Sequence, residues 1–316
     1  KRQVSGGAKL DHIKDDDTFG GVFGVTKGLA KKYSRKRVID TPIAEHITLS
    51  TAVGAAATGL RPIAELMFND FIGFGLDPIL NQGAKMRYMF GGKAKIPLVV
   101  RTVHGAGASA AAQHSQSLYN MFAAIPGVKV VVPSNPYDAK GLLMSAIQED
   151  NLVVFSEDKT LLGQKGNVPE EPYTIEIGKA NVTREGDDLT IVAIGKMVAV
   201  AEETAEKLAE DQVSVEVIDL RSVSPWDQET VLDSVKKTGR LIVIDESNPQ
   251  CNIAGDVASV IGDVGFDYLD GPIKKVTAPD TPVPFAANLE AAYMPNADKV
   301  LDIASELIDD LKKANA

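Results

Sequence analysis

The sequence predicts an α/β protein built from two domains, each with a doubly wound parallel sheet. Apolar runs rich in Val, Ile and Leu alternate with longer helix-like segments along most of the chain. Several runs are apolar at successive positions rather than at alternating ones, which is typical of strands covered on both faces. The alternation stops once, between Asp158 and Asp188, where turn residues and charges replace periodic apolar residues. These observations predict two parallel-sheet domains joined by a linker.

The predicted elements follow each other in strand–helix order. The expected strands are Pro62–Met67, Ile96–Val103, Val128–Val132, Leu152–Ser156, Leu189–Ile194, Val213–Leu220, Leu241–Asp245 and Ile273–Ala278. The expected helices are Pro42–Thr58, Asp70–Tyr88, Ala110–Ala124, Tyr137–Gln148, Val198–Glu210, Gln228–Lys237, Ala254–Ile261 and Ala297–Lys312. We place the first domain at residues 1–162, the linker at 163–188 and the second domain at 189–316.

Composition and charge exclude several classes of protein. The 316 residues carry 43 acidic and 33 basic side chains, a formal net charge of −10, so we expect no general affinity for nucleic acid. No apolar run approaches the roughly 20 residues needed to cross a bilayer. The first residues, Lys1–Val4, show no apolar signal-peptide core, and the single cysteine, Cys251, cannot form an internal disulfide. We therefore expect a cytoplasmic enzyme that acts on a small molecule.

Gly105–Ala110 is a glycine pattern that could bind a phosphate. It follows a predicted strand, precedes a predicted helix and matches the relaxed dinucleotide fingerprint, whose glycines let the backbone approach a pyrophosphate. The next strand ends in Pro133-Ser134-Asn135, without the acidic residue that would hold a ribose. A tight strand-to-helix turn is therefore the favoured interpretation.

A helix is predicted to start at Thr41 and Pro42, because threonine is a good N-cap and proline suits the first helical position. The residues that follow are small and apolar, so we expect this helix to be buried and Glu45 to lie at the edge of a poorly hydrated site. Two interpretations of Glu45 stay open. It is either a carboxyl that exchanges protons or a first-turn residue that only complements the helix dipole.

His114 lies in the predicted helix after the glycine turn, near the carboxyl end of a parallel strand. That position favours a function, whereas a lone histidine is more often structural. The four histidines show no spacing typical of a metal site. Phe68 and Phe71 follow another strand and either pack in the core, which is the favoured interpretation, or form a stacking platform for a flat heterocycle.

Motifs within the stretch from about Gly20 to Ile308 together resemble one known family. They are Asp40–Glu45, Gly59–Glu65, Tyr88–Lys93 and Ala112–Gln116. In this order they are similar to the beta subunit of the thiamine-diphosphate-dependent first component of 2-oxo acid dehydrogenase complexes, a transketolase-like family. Within that family the chain most resembles the acetoin dehydrogenase branch, through Glu65–Phe71, Val103–Gly107 and Thr277–Phe285. The resemblance implies a transketolase-like pyrimidine-binding domain followed by a transketolase C-terminal domain.

The resemblance also assigns roles to individual residues. It implies that Glu45 binds the aminopyrimidine ring of thiamine diphosphate, that Phe71 packs on this ring with Ile43 beside it, and that the catalytic His114 faces the reacting carbon. Glu45 would also be catalytic, because it exchanges a proton with the ring. A structural potassium ion, bound largely by backbone carbonyls, is implied as well. The residues at its position are Leu98, Ala146, Ile147, Glu149 and Asn151.

One motif of the superfamily does not occur in this sequence. It is the Gly-Asp-Gly motif with a later Asn that holds the diphosphate through magnesium, and in the family it lies on the alpha subunit. The resemblance therefore implies a cofactor site shared between the subunits of an alpha2-beta2 tetramer. The implied reaction cleaves acetoin to acetaldehyde and passes a two-carbon unit to a lipoyl-bearing acyltransferase, towards acetyl-CoA. A pyruvate or branched-chain 2-oxo acid dehydrogenase, or a non-catalytic assembly subunit, is the alternative.

Three positions depart from the family pattern. Lys1–Val4 stands where the family carries Gly-Glu-Asp-Val, so the glutamate that lies by the cofactor has no counterpart there. Pro78 stands where glutamine is expected, which predicts a kink inside a helix. Leu152 stands where proline is usual, and we expect this change to be harmless.

Overall fold

A computed structural model describes residues 20–314, so the departure at Lys1–Val4 lies outside the described residues. The strands are β1 (Ile63–Leu66), β2 (Val99–His104), β3 (Lys129–Val131), β4 (Val153–Asp158), β5 (Asn181–Arg184), β6 (Leu189–Ala193), β7 (Val215–Asp219), β8 (Ser222–Ser224), β9 (Leu241–Asp245) and β10 (Lys274–Thr277). The helices are α1 (Leu29–Tyr33), α2 (Glu45–Ala57), α3 (Ile72–Asp77), α4 (Met86–Met89), α5 (Tyr119–Ala123), α6 (Pro136–Gln148), α7 (Met197–Glu210), α8 (Gln228–Thr238), α9 (Ile253–Val264), α10 (Ala287–Tyr293) and α11 (Ala297–Ala314).

These strands form two five-stranded sheets within the described part of the chain. The first sheet has the order β1-β2-β4-β3-β8 and is parallel except for β8, which pairs antiparallel with β3. The second has the order β10-β9-β6-β7-β5 and is parallel except for β5, which pairs antiparallel with β7. The predicted fold class of two α/β parallel-sheet domains is confirmed, and each sheet gains one antiparallel edge strand.

The central strands are buried along their whole length. Every residue of β2, β6, β7 and β9 is buried, which agrees with the continuous apolar runs that predicted them. Each expected strand has a counterpart in the structure, with shifted ends. The largest cluster of buried apolar side chains contains residues of both halves, such as Val132 and Ile194, so the halves share a core.

The sequence did not predict the two antiparallel strands. β5 lies inside residues 163–188, the predicted linker, and β8 belongs to the second half of the chain but completes the first sheet. Neither strand carries the long apolar run by which the other strands were predicted. β5 is only partly buried, and β8 has only three residues. The short helices α1 and α10 were missed too. The boundaries 1–162, 163–188 and 189–316 stay a prediction.

The predicted start of the first long helix is wrong. Thr41 does not cap it, since α2 begins at Glu45 with Ala44 at the N-cap. The hydroxyl of Thr41 instead shares a hydrogen bond of 3.3 Å with the hydroxyl of Thr48. Pro42 therefore precedes the helix rather than occupying its first turn.

The predicted helix Asp70–Tyr88 is broken into shorter pieces. A 3-10 turn (Asn69–Phe71) leads into α3, a π-helical segment runs over Pro78–Gly83, and α4 follows. The break coincides with Pro78, which lacks the N–H that a continuous α-helix requires. The interruption predicted at this proline is therefore present, while Leu152 is simply buried in the core.

The predicted helix Ala110–Ala124 is wrong over most of its length, since only α5 is helical. Ser109 and Ala111 have left-handed backbone, with φ of +49° and +62°, and this interrupts a right-handed helix. His114 consequently lies on a loop between β2 and α5 rather than inside a helix.

Candidate functional site

Three aromatic rings meet where β1 and β2 end. The imidazole of His114 lies edge to face against Phe68, with ring centroids 5.0 Å apart, and against Phe71, with centroids 5.3 Å apart. The two phenylalanine rings are 6.4 Å apart. Because parallel strands end at the same edge of a sheet, the loops after β1 and β2 come together here. The structure thus brings together Phe71 and His114, and Phe71 also packs against the core.

The loop that carries His114 is fixed by Lys159, which directly follows β4. The Lys159 ammonium donates hydrogen bonds to the carbonyl of His114 at 2.5 Å and to the hydroxyl of Ser115 at 3.1 Å. Burial lowers the pKa of Lys159, although the nearby carboxylates of Asp70 and Asp158 oppose this. Lys159 therefore binds the backbone of this loop, while the ring of His114 packs against the two phenylalanines.

Asp70 links the two loops. Its Oδ1 accepts hydrogen bonds from the backbone N–H of Gln116 at 3.2 Å and from the Gln116 side-chain amide at 2.9 Å. Its Oδ2 is buried and makes no hydrogen bond with any residue between 20 and 314 that is described. The carboxylate of Asp70, which stands between Phe68 and Phe71 in the sequence, therefore lies beside the loop that carries His114.

Glu45 is the first residue of α2, and α2 packs on α3, the helix that directly follows Phe71. α2 packs closely on α3 at Gly75, where an added Cβ would lie 2.3 Å from Leu49 Cδ1 and 3.7 Å from the Glu45 carbonyl oxygen. Gly75 is four residues after Phe71, one helical turn further along. Glu45 is half-buried, and its carboxylate forms no hydrogen bond or ion pair with the described residues. Ile43 precedes the helix and is 72% exposed.

A buried ionic cluster that the sequence did not predict lies between the two sheets. His104 ends β2, Asp158 ends β4, and Glu246 follows β9; ligand atoms of these three buried side chains lie within 4.8 Å of one another. The Lys196 ammonium, 12% exposed, lies 2.8 Å from Glu246 Oε1 and 3.3 Å from Asp158 Oδ2. It also donates to the Ala106 carbonyl at 2.7 Å.

Burial and the neighbouring charges perturb these groups strongly. Burial lowers the pKa of His104 to about 4 and raises that of Glu246 to about 7. Burial is the largest single effect on Asp158 and opposes its ionisation, but the charges of Lys196 and His104 and the hydrogen bonds from Thr160 together lower the pKa of that carboxyl. An ammonium thus supplies the positive charge that a metal ion would bring. We interpret the cluster as an internal ion-pair network.

The glycine turn binds carboxylates of the protein itself. The N–H of Ala106 donates to Glu246 at 2.6 Å, and the N–H groups of Gly107 and Ser109 both donate to Glu290 at 2.8 Å. The dinucleotide fingerprint is therefore wrong for this turn, since its amides are already engaged and no helix follows directly. Glu246 lies at the carboxyl end of a predicted strand, a signal that could have drawn attention to it. Glu290 had no such signal.

Two of the five residues of the predicted potassium site, Ile147 and Glu149, contact Arg61. Its guanidinium donates to the carbonyls of Ile147 at 3.0 Å and Glu149 at 2.9 Å. The Leu98 carbonyl accepts from the Val153 N–H at 2.9 Å. The Asn151 amide donates to the Glu149 carboxylate at 2.9 Å. Ala146 is buried nearby on α6. The potassium ion stays a prediction, in a place where a guanidinium already meets two of the carbonyls.

Comparisons with known proteins agree with the fold of two parallel-sheet α/β domains. A model of the transketolase pyrimidine-binding domain matches residues 12–165, and a model of the transketolase C-terminal domain matches residues 178–300. A solved structure described as a split-gene transketolase in an inactive beta4 tetramer superposes with a TM-score of 0.75, covering 90% of this chain and 87% of its own. At 24% identity it supports the fold alone. No helix among the described residues is long and apolar enough to cross a membrane.

Curated relatives are similar over nearly their full length. The acetoin:2,6-dichlorophenolindophenol oxidoreductase beta subunit of Bacillus subtilis is 57% identical, covering 96% of this chain and 89% of the relative. The beta subunit of the same name from Cupriavidus necator is 51% identical, covering 94% and 87%. The pyruvate dehydrogenase E1 beta subunit of Bacillus subtilis is 44% identical, covering 92% and 89%. The chain therefore belongs to the transketolase-like family of acetoin and 2-oxo acid dehydrogenase beta subunits.

Proposed function

We propose that this chain is the beta subunit of a thiamine-diphosphate-dependent acetoin dehydrogenase and supplies half of its active site. The observation that carries the proposal is the contact between His114 and Phe71, together with the Glu45 carboxylate on the adjoining helix, which has no partner among the described residues 20–314. Similarity to two acetoin:2,6-dichlorophenolindophenol oxidoreductase beta subunits supports acetoin as the substrate.

The residues around Glu45 fit the aminopyrimidine half of thiamine diphosphate. The ring of Phe71 offers an aromatic face for a flat heterocycle, and Ile43 offers an exposed apolar side chain. A carboxyl group that has no other partner suits a hydrogen bond to a ring nitrogen. The sequence has no Gly-Asp-Gly motif, so we assign the diphosphate and its magnesium ion to the alpha subunit.

When bound between the subunits, thiamine diphosphate would supply the carbon nucleophile that this reaction needs. Glu45 holds a proton on its carboxyl and exchanges it with the pyrimidine nitrogen. His114 holds a proton on its imidazole and moves it when the two-carbon unit passes to the lipoyl group. Phe68 and Phe71 exclude water from one side of this imidazole, and Lys159 keeps the loop in place.

The alpha subunit covers the exposed apolar side chains of the first half. A surface this rich in exposed apolar residues marks a site of protein–protein contact. Between residues 39 and 90 these side chains are Ile39, Ile43, Ile47, Leu60, Ile63, Phe74, Tyr88, Met89 and Phe90. We propose an alpha2-beta2 tetramer on this basis. We also propose that the product passes to a lipoyl-bearing acyltransferase, whose basic binding domain would suit the net charge of −10.

The charges near His114 favour a neutral substrate. Acetoin is uncharged, whereas pyruvate carries a carboxylate that needs a positive or hydrogen-bonding recess. The segment Val103–Gln116 contains no Arg or Lys, and Asp70 adds a negative charge beside it. The nearby ammonium of Lys159 is bound to the carbonyl of His114. This half of the site would therefore repel a 2-oxo acid.

Reconstitution with the cognate alpha subunit tests the proposal. We expect dye-linked turnover of acetoin with a kcat/KM at least ~10-fold above that of pyruvate, a difference of about 1.4 kcal/mol. Equal efficiency, or a preference for pyruvate or a branched-chain 2-oxo acid, would place the chain in those branches. A tetramer that binds the cofactor but turns over neither substrate would make this chain an assembly subunit.

Calorimetry of cofactor binding tests the shared site separately. The isolated chain should bind thiamine diphosphate with magnesium very weakly, and the chain with its alpha subunit should bind it tightly. Tight binding by this chain alone would contradict the division of the site. A cytoplasmic location is proposed as well, because the single Cys251 is free and exposed, as suits a reducing compartment.

A further inference from the structure

The loop that carries His114 starts with an unusual turn. Gly105, Gly107, Ser109 and Ala111 all have left-handed backbone, with φ of +96°, +104°, +49° and +62°. Glycine adopts this conformation freely, whereas serine and alanine are strained in it. Alternation of left-handed residues turns successive N–H groups toward one side and forms a concavity that binds anions.

A carboxylate from the other half of the chain lies in this concavity. Glu290 on α10 is 2% exposed, and its two oxygens accept hydrogen bonds from the N–H groups of Gly107 and Ser109, each at 2.8 Å. The hydroxyl of Ser109 lies 3.4 Å from one of the same oxygens. Hydrogen bonds from backbone amides to a buried carboxylate are strong and directional. Glu290 therefore stabilises the strained conformation at Ser109.

The segment after Ser109 leads directly to His114. The N–H of His114 donates to the carbonyl of Ala111 at 3.3 Å, so a single turn separates the imidazole from the residues that Glu290 holds. The far end of the same segment is held by Lys159 at the His114 carbonyl. Burial lowers the pKa of Lys159, and the negative charge of Glu290 opposes this larger effect.

We propose that Glu290 is a positioning residue for His114, because its carboxylate fixes the backbone of Gly107–Ser109 and thereby the imidazole against Phe68 and Phe71. The inference rests on the proposed function, in which His114 takes part in transfer to the lipoyl group. It adds that the C-terminal half of the chain controls this step through α10 without touching substrate or cofactor.

Glu290→Gln tests this positioning role in the reconstituted tetramer. The amide keeps one oxygen for one N–H group, but its NH2 then faces the second N–H group, and two donors cannot bond to each other. We expect single-turnover transfer to a lipoylated carrier domain to slow ~10-fold, a loss in the range measured for hydrogen bonds to charged groups. Proton exchange at the thiazolium carbon should stay unchanged. Glu210→Gln, an exposed glutamate at the end of α7, is the matched control.

Two further measurements separate positioning from general stability. Amide hydrogen exchange should speed up in peptides covering residues 105–118 and not in the remainder of the sheet. In a His114→Ala background, Glu290→Gln should slow transfer no further, because a residue that acts through His114 has nothing left to position. If Glu290→Gln does not fold, Glu290→Asp is the alternative variant, because it keeps the negative charge on a side chain that is one methylene shorter. It should show the same changes to a smaller extent.

Each result decides between the alternatives. Unchanged exchange in residues 105–118, or slowing that adds fully to that of His114→Ala, would overturn the positioning role while leaving the proposed function intact. If His114→Ala alone leaves transfer at the wild-type rate, the proposed function loses its transfer residue, and the positioning role fails with it.

Discussion

The imidazole of His114 meets the ring of Phe71 edge to face, with the two centroids 5.3 Å apart. Edge-to-face packing orients the imidazole, and its ring nitrogens make no hydrogen bond to any residue in the part of the chain that the structure describes. Phe68 packs against the imidazole from a second side at 5.0 Å. A histidine held in this way keeps its nitrogens for a substrate, which is what the proposed transfer step requires.

Replacing His114 by alanine should therefore separate two steps of the reaction. We expect transfer to the lipoyl group to fall by at least ~10²-fold, the lower range for a general acid–base group. Exchange of the thiazolium proton should continue at the wild-type rate, because the proposed function assigns that step to Glu45 and not to His114. Nuclear magnetic resonance of quenched samples measures the exchange, and acetylation of the carrier measures the transfer. Loss of the tetramer without loss of transfer would give His114 a structural role.

Glu45→Gln should have the opposite profile. Glutamine keeps the size of the side chain but cannot exchange a carboxyl proton, so deuterium exchange at the thiazolium carbon should slow by at least ~10²-fold. The measurement uses the tetramer with bound cofactor, and the exposed Glu210→Gln again serves as the control. Exchange at the wild-type rate would leave Glu45 as a first-turn residue that only complements the dipole of α2.

Gly75→Ala should lower stability at the contact between α2 and α3. The new Cβ would lie 2.3 Å from Leu49 Cδ1, and Leu49 is buried in the core, so the two helices must move apart. We expect the free energy of unfolding to fall by about 1–3 kcal/mol, as for other overpacked cores. Gly73→Ala on the same helix has no neighbour within 4 Å and should be neutral or stabilising. Urea unfolding of the two variants measures the difference, and equal effects would contradict the close approach.

Two buried groups make opposite contributions to the pH dependence of stability. Burial raises the pKa of Asp219 from 3.8 to about 6, although Ser134 and the N–H of Arg221 donate hydrogen bonds to it. Between these values the folded chain binds the extra proton, so the free energy of unfolding falls as pH rises. Burial lowers the pKa of His104 from 6.5 to about 4. In that window the unfolded chain binds the extra proton, and the free energy of unfolding rises with pH.

Asp219→Asn should remove the first contribution and leave the second. Between pH 4.5 and 7 the variant should gain stability relative to the wild type by about 2 kcal/mol. Urea unfolding at several pH values in this range gives both curves. Asp211→Asn, at an exposed position after α7, should follow the wild-type curve. Parallel curves for Asp219→Asn and the wild type would contradict the raised pKa.

The sequence predicted the elements whose causes are local. A strand buried on both faces needs a continuous apolar run, and each such run became a strand of one of the two sheets. β8 has only three residues and is stabilised by pairing with the edge of β3, which lies far away in the sequence. The segment Ala110–Ala112 favours a helix locally, yet hydrogen bonds from the N–H groups of Gly107 and Ser109 to the Glu290 carboxylate hold the preceding turn in another conformation.

The same distinction applies to the candidate site. Phe71 and His114 follow two strands of one parallel sheet, so their meeting follows from topology. Lys196 and Glu246 acquire their roles from the packing of one half against the other. No pattern within the neighbourhood of Glu290 indicates that its carboxylate binds a turn at Gly107. Resemblance to a family pointed to the residues that we propose to meet a cofactor, and the structure was needed to find the residues that hold them in place.

The antiparallel pairing of β8 with β3 makes the two halves inseparable as expression fragments. A fragment ended at residue 162 would lack β8 and expose the edge of β3, whose unpaired N–H and C=O groups can template association with a second chain. A fragment begun at residue 189 would lack β5 and leave the edge of β7 open in the same way. Dividing the gene at the linker should therefore yield aggregating pieces. Co-expression of the first piece with a second piece that begins before β5 should restore solubility by letting each sheet regain its border strand.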